Sequence, residues 1–282
     1  MLRLLASLIV GALIALSSQA SAAERWLTRP APPPMPKPVH TGYAHVNGID
    51  LWYAEYGKGP PVILLHGGLA NSEYWGNQVP ALARAHRVIT VDSRGHGHST
   101  RDAQPYSYDL MADDVVALMD KLRIRKAAIV GWSDGAILGL DLAIRRPERL
   151  TRVFAFGANS DPSGVKFDAL QSSLFGDFMQ RAGDDYRRLS RTPGEYDAFL
   201  AAVNKMWETE PHFTEAQLRA IKTPMAIVDG DHDEVIKREH TDWLASVIPG
   251  AKLIILPQAS HFAMLQDSKT FNKEMLGFLD GR

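Results

Sequence analysis

The sequence contains no cysteine. This absence excludes disulfide bonds, thiolate nucleophiles and cysteine-ligated metal sites. The chain also lacks an excess of charge of either sign, since 31 Lys and Arg stand against 32 Asp and Glu, for a formal net charge of −1. Basic patches with interleaved aromatic residues are absent as well. Nucleic acid is therefore not an expected partner.

Long apolar runs are scarce, and the clearest one is at the N-terminus. It covers residues 4–16, which is shorter than the ~20 residues of a membrane-spanning helix. Arg3 precedes the run and the small-residue site Ala20-Ser21-Ala22 follows it, an arrangement typical of a secretory signal peptide. We therefore expect residues 1–22 to be a signal peptide and the mature protein to be periplasmic or secreted, with no stable membrane span. An uncleaved anchor and a buried helix are the alternatives.

Proline is concentrated in one place, with six of the nine residues 30–38. Such a run favours an extended, semi-rigid chain. We predict that residues 23–42 form a linker between the signal peptide and the folded body.

The folded body is predicted to begin near Tyr43 with a β-hairpin. Residues 43–46 and 49–56 are strand-like, and Asn47-Gly48 between them is a strong turn signal. Later apolar runs lack polar alternation, as in strands covered on both faces. They lie at residues 62–65, 88–91, 127–130, 153–156, 225–228 and 253–256. The pattern predicts an α/β fold with a mostly parallel central sheet, an N-terminal antiparallel hairpin and flanking helices.

The interval between the fourth and fifth of these runs is too long for a simple loop. Apolar residues such as Leu174 and Phe178, and later Phe199 and Met206, recur there at helical spacing. We predict a helical cap at residues 161–222, inserted between two parts of the core at 43–160 and 223–282.

The most informative motif is Gly131-Trp132-Ser133-Asp134-Gly135, placed between a predicted strand and a predicted helix. That context is the one in which G-x-S-x-G forms a sharp turn that exposes the serine hydroxyl. The glycines are needed because the chain on either side of Ser133 approaches itself closely. Ser133 is thus the candidate nucleophile.

A serine nucleophile needs a base, and the base needs an acid that orients it. His261 follows the last predicted strand and is the candidate base. Four acids crowd together after the preceding strand: Asp229, Asp231, Asp233 and Glu234. We prefer Asp233 because it lies farthest into the loop before the next helix, and Asp231 is its main rival.

Two backbone N–H groups are the candidate donors to a tetrahedral oxyanion. One belongs to Asp134, which follows the nucleophile, and the other to Gly68, with Leu69 as the fallback. The Asp134 side chain has two interpretations. It either attracts a substrate ammonium group, or it bonds the cap or the first turn of its own helix.

Taken together, these residues resemble the α/β-hydrolase superfamily, in its capped, esterase-like branch with a serine at the elbow. The resemblance extends from about Tyr43 to the C-terminus. Four motifs carry it: His66-Gly67-Gly68, the loop 92–99 of the form D-x-R-G-x-G-x-S, the serine elbow, and the Asp233/His261 pair. In that family the second motif is structural.

The resemblance implies a serine hydrolase that cleaves a small-molecule ester through an acyl-enzyme, without cofactor or metal. Alternatives with the same triad are lactone, amide or carbon–carbon hydrolysis, acyl transfer and perhydrolysis. A different class of alternative is a non-catalytic binding protein. His96 and His98 alone are weak evidence for a metal, and His66 is interpreted as structural.

Overall fold

The computed structural model describes residues 24–281, and the predicted signal peptide lies outside them. Eight strands form one sheet in the order β1-β2-β4-β3-β5-β6-β7-β8. Their bounds are β1 His40–Val46, β2 Ile49–Tyr56, β3 Pro61–Leu65, β4 Arg87–Val91, β5 Ala127–Trp132, β6 Leu150–Phe156, β7 Met225–Gly230 and β8 Lys252–Leu256. Strand β1 pairs antiparallel with β2, β2 pairs antiparallel with β4, and all other pairs are parallel. The predicted fold class is confirmed.

Helices cover both faces of this sheet. They are α1 Gln78–Leu82, α2 Tyr108–Lys121, α3 Asp134–Arg145, α4 Ser173–Leu189, α5 Tyr196–Trp207, α6 Glu215–Arg219, α7 Arg238–Val247, α8 Ala263–Gln266 and α9 Ser268–Leu279. Side-chain caps fix several starts, including Ser107 before α2 and Thr214 before α6, where a capping box forms. None of the helices within residues 24–281 has the length and apolar character to cross a membrane.

The central strands are buried on both faces because helices pack on each side of them. Every residue of β5 and of β7 is buried, which is why residues 127–130 and 225–228 form unbroken apolar runs in the sequence. Such a sheet brings the carboxyl ends of its parallel strands to one edge. The loops that leave β3, β5, β7 and β8 meet there, and ligands bind at this edge in α/β folds.

Helices α4, α5 and α6 lie between β6 and β7, and we call residues 161–222 the cap. Phe175 and Phe178 on α4 are buried, as is Phe199 on α5. The two long cap helices meet where the Tyr186 and Phe199 rings stack with centroids 4.9 Å apart. The helical faces predicted from the apolar spacing are therefore the faces that pack.

The segment before β1 packs against the body of the protein. Arg25 forms an ion pair with Asp267 at 3.1 Å, and the Gln266 amide donates to the Trp26 carbonyl at 3.0 Å. The centroids of the Trp26 and His232 rings are 4.4 Å apart. Proline content alone predicts a spacer, whereas these neighbouring aromatic and charged side chains hold the segment beside the loops after β7 and β8.

Candidate active site

Ser133 lies at the turn between β5 and α3, in a strained backbone conformation with φ 54° and ψ −118°. A Cβ atom at Gly131 would overlap the Gly135 carbonyl, and one at Gly135 would overlap the Leu65 carbonyl. Both glycines are therefore sterically required, as the motif predicted. The Ser133 N–H donates to the Phe156 carbonyl at 2.8 Å, which fixes the turn against β6. The fold maintains this strain by packing around it.

His261 and Asp233 come together from the loops after β8 and β7. Nδ1 of His261 lies 2.7 Å from Oδ2 of Asp233, and their residues are 3% and 4% exposed. The other Asp233 oxygen accepts the N–H groups of Val235 and Ile236, each at 2.7 Å. The carboxylate is therefore locked in one orientation, and it fixes the tautomer of His261 that carries its proton on Nδ1.

The electrostatics of the pair follow from its burial and mutual contact. Burial alone would lower the pKa of His261, but the charge and hydrogen bond of Asp233 outweigh it and raise the pKa above its ordinary value. Burial would likewise raise the pKa of Asp233, yet His261 and the backbone donors hold the pKa below its usual range. Asp233 is therefore ionised at neutral pH and favours the protonated imidazole.

The rival acids occupy different positions. Asp231 is exposed, and its carboxylate accepts the Ala259 N–H at 3.1 Å. It also lies 2.8 Å from Nδ1 of His232. Glu234 accepts the backbone N–H of His261 at 3.1 Å. The structure thus pairs the His261 ring with Asp233, and Glu234 supports the histidine loop.

Gly157 is a residue of this site that the sequence did not reveal. It follows β6 with φ +66°, and a Cβ atom there would lie 2.7 Å from Cε1 of His261. A side chain at this position would displace the imidazole. Trp132 and Phe156 pack around the same ring, with centroid separations of 5.9 and 6.1 Å. The sequence feature that could have identified Gly157 is a glycine directly after a buried strand, at the edge of the sheet where the other site residues lie.

The predicted oxyanion donors lie beside Ser133. Gly68 and Asp134 line the same cavity as Ser133 and His261. Within residues 24–281, the backbone N–H groups of Gly68 and Asp134 donate to no other protein group. Asp134 is the first residue of α3, where free N–H groups favour negative charge. Leu69, the fallback donor, has φ 61°.

The Asp134 side chain connects the core to the cap. Its carboxylate accepts the Tyr108 hydroxyl at 2.9 Å and the indole N–H of Trp207, on α5, at 3.0 Å. This is the cap contact of the second interpretation. Burial raises the pKa of Asp134 to about 6, against the effect of these two neutral donors. The buried carboxylate is therefore costly at neutral pH.

We expect the substitution Asp134→Asn to stabilise the protein above pH 7. Between the unfolded pKa near 4 and the folded value of about 6, the folded state binds the extra proton, so stability falls as pH rises through this window. Above it the carboxylate costs about 3 kcal/mol, which an uncharged amide of the same shape avoids. Thermal unfolding at pH 8 and pH 5 measures this. We expect the variant to be more stable than wild type at pH 8, by a margin that is smaller at pH 5. A variant less stable than wild type at pH 8 would contradict the prediction.

A cavity of about 450 Å³ opens over Ser133, between the sheet edge and the cap. Its volume is in the range of small-molecule sites. Apolar side chains dominate its wall, among them Trp132, Val165, Phe175, Phe178, Ile236 and Phe262. Its polar lining includes Ser133 and His261, together with charged side chains such as Lys166 and Lys237.

Three other histidines that the sequence brought into question have structural contacts. His66 accepts the Ser93 N–H on Nε2 at 3.0 Å, and its Nδ1 lies 2.7 Å from the Gly67 carbonyl. Nδ1 of His96 lies 2.8 Å from the Arg94 carbonyl, and burial lowers the pKa of His96 to about 3. Nδ1 of His98 contacts Asp92 at 2.9 Å. The loop 92–99 is held together by such bonds.

Comparison with known proteins agrees with this fold. The model of the α/β hydrolase fold family matches residues 60–195. The chain is 30% identical over 273 residues to a non-heme chloroperoxidase of Kitasatospora aureofaciens, covering 83% of this chain and 97% of that protein. It is 38% identical over 261 residues to a protein assigned as a carbamate hydrolase in Azorhizobium caulinodans, covering 84% of this chain and 97% of that protein.

Solved structures show the same likeness. The enol-lactonase from Burkholderia xenovorans superposes with a TM-score of 0.66 at 25% identity, covering 84% of this chain and 99% of that one. The relatives support hydrolase activity on a small molecule. On its fold and these relatives, the chain belongs to the α/β-hydrolase family of enzymes.

Proposed function

We propose that the protein hydrolyses a small carboxylic ester through an acyl-enzyme formed on Ser133. The observation that carries the proposal is the 2.7 Å contact between Asp233 and His261, beside a strained elbow serine that lines the same cavity. A neutral imidazole held in one tautomer is the base that a serine hydroxyl needs.

The reaction proceeds in two halves. Nε2 of His261 accepts the hydroxyl proton as Ser133 Oγ attacks the ester carbonyl, and the N–H groups of Gly68 and Asp134 stabilise the oxyanion. The imidazolium then donates its proton to the departing alcohol, leaving an ester on Ser133. In the second half, His261 accepts a proton from water as the water oxygen attacks this ester. It then returns that proton to Ser133 Oγ as the acyl carbon–oxygen bond breaks, which releases the acid and restores the serine hydroxyl and the neutral imidazole. Asp233 stabilises the imidazolium in both halves.

The substrate class follows from the cavity. Its apolar wall and volume of about 450 Å³ favour an uncharged acyl group of modest size. A lactone is the second candidate, because the protein resembles an enol-lactonase and lactone opening uses the same acyl-enzyme. A panel of nitrophenyl esters of increasing acyl length and of lactones of increasing ring size separates them. The ester proposal fails if only lactones are turned over.

Activity is expected to fall as pH decreases, because only neutral His261 accepts the serine proton. The raised pKa of His261 places the midpoint of this loss above the ordinary value of about 6.5. The profile of kcat/KM against pH measures it. Asp134 titrates nearby, with a pKa of about 6, so the same profile in Asp134→Asn is the control. A loss of activity at low pH that persists in Asp134→Asn is due to His261. A profile that stays flat down to pH 5 contradicts the assignment of His261 as the base.

We also propose that the protein is exported, on the basis of the predicted signal peptide. Cleavage after Ala22 or Ala23 leaves Arg25 and Trp26, which pack against the body, in the mature chain. N-terminal sequencing of protein from the periplasm or medium is expected to begin at Ala23 or Glu24. Full-length chain found only in the cytosol would refute export.

A further inference from the structure

Asp229 is a carboxyl group buried behind the Asp233–His261 pair. It lies near the end of β7 and is 1% exposed. One of its oxygens accepts the Gly230 N–H at 2.9 Å, and the other accepts the Thr241 hydroxyl of α7 at 2.5 Å. Its carboxyl group also lies within hydrogen-bonding range of that of Asp233. The ester mechanism above gives Asp229 no task.

Two carboxyl groups that hydrogen-bond each other must hold a proton between them, since ionised carboxylates only accept. The donors around the pair decide which group carries it. Asp233 accepts two backbone N–H groups and the N–H of the His261 ring, whereas Asp229 accepts one backbone N–H and one neutral hydroxyl. Hydrogen bonds to the anion stabilise the anion. The proton therefore resides on Asp229.

We propose that Asp229 is a neutral carboxylic acid that donates a hydrogen bond to the carboxylate of Asp233 and so positions the acid of the triad. This inference rests on the proposed function of Ser133, His261 and Asp233. The result is a chain of hydrogen-bonded groups from Thr241 through Asp229 and Asp233 to His261. Asp229 acts through Asp233 and is a positioning residue.

The donated bond has an electrostatic consequence for His261. It draws charge from the Asp233 carboxylate and weakens the attraction of that carboxylate for the imidazolium. His261 therefore remains neutral, and active as a base, to a lower pH than it would beside an unassisted carboxylate. Burial and the neighbouring Asp233 raise the pKa of Asp229 well above its ordinary range, in agreement with the assigned proton.

The other charged groups around the pair are few in the described part of the chain. Glu234 and Asp134 act on the His261 ring. From the cap, Nζ of Lys166 donates to the backbone carbonyl of Asp233 at 2.5 Å. Helix α7 presents the uncharged Thr241 to Asp229. None of these groups is altered by a substitution at Asp229, so a shift in the pH profile reports on the Asp229–Asp233 contact.

The deciding variant is Asp229→Asn, which keeps the shape, an N–H donor and a carbonyl acceptor but has no proton to lose. If Asp229 is neutral in the wild type, this substitution changes no charge. The acid limb of kcat/KM is then expected to stay within about 0.2 pH units of wild type, with kcat within about threefold. If Asp229 is ionised, removing its charge lowers the limb by about 0.5 pH units or more, and the proposal is overturned.

The matched variant is Asp229→Val, which fills the site, suits a strand and cannot donate. The midpoint of the acid limb of kcat/KM is expected to rise by about 0.5 pH units or more, and kcat is expected to fall about tenfold. An unchanged limb in a folded Asp229→Val protein also overturns the proposal. If this variant does not fold, as thermal unfolding would show, the asparagine variant decides by itself.

A readout without ester turnover separates this inference from the proposed function. The imidazole of His261 can be titrated by ¹⁵N NMR in wild type and both variants, with its signals assigned by their loss in His261→Asn. The pKa of His261 measured by NMR is expected to shift in each variant by the same amount as the acid limb of kcat/KM. If no ester is hydrolysed but the NMR shifts follow this pattern, the proposed reaction fails and the role of Asp229 stands.

Discussion

Ester hydrolysis is expected to fall by a factor of about 10⁴ or more in Ser133→Ala, because no other group can form the acyl-enzyme. The turn itself tolerates the change, since the strain at Ser133 lies in its backbone and alanine adds no atoms. Thermal unfolding should therefore be nearly unchanged. The residual rate should reflect binding and the oxyanion donors alone.

The control for this substitution is Ser163→Ala. Ser163 is exposed in the 3₁₀ turn Pro162–Gly164 at the start of the cap, and its hydroxyl has no part in the proposed chemistry. This variant should retain the wild-type rate. Near-normal turnover by a folded Ser133→Ala protein would contradict the assignment of the nucleophile.

The substitution Asp233→Asn is expected to lower kcat by about 10⁴-fold, the size of effect seen when a triad acid becomes an amide. Asparagine offers either an amide N–H or a neutral oxygen to Nδ1, so the imidazole loses both its fixed tautomer and the charge that stabilises its protonated form. The Val235 and Ile236 N–H groups can still find an acceptor in the amide oxygen. The fold should therefore persist.

Asp231→Asn is the matched control, because Asp231 was the main rival and lies on the same loop. Its carboxylate contacts His232 and the Ala259 N–H, and loss of its charge should change kcat less than about threefold. Steady-state kinetics of both variants at pH 8 makes the comparison. Equal losses, or a larger loss in Asp231→Asn, would reassign the acid.

The sheet and the elbow could be predicted from the sequence because their causes are local. An apolar run covered on both faces has a recognisable composition, as in β5 and β7. The glycines around Ser133 are required by contacts within a few residues of each other and with β3. Chain order and strand ends likewise placed His261 and the acids at one edge of the sheet.

Other features depend on contacts between distant parts of the chain, which spacing cannot encode. Trp207 meets Asp134 only after the cap has folded over the core, and Trp26 meets His232 across most of the sequence. The choice among four neighbouring acids depended on the course of one loop. The partner of Asp229 was hidden for the same reason, although an aspartate at the end of an apolar strand is unusual enough to be a signal.

The central claim is that Ser133 is a nucleophile activated by His261. Labelling with a fluorophosphonate, followed by mass spectrometry of the peptide that contains Ser133, tests it most directly. The account predicts a single adduct on Ser133, formed rapidly at pH 8, slowly at pH 5, and absent in Ser133→Ala. No adduct, or an adduct on another residue that persists in Ser133→Ala, would contradict it.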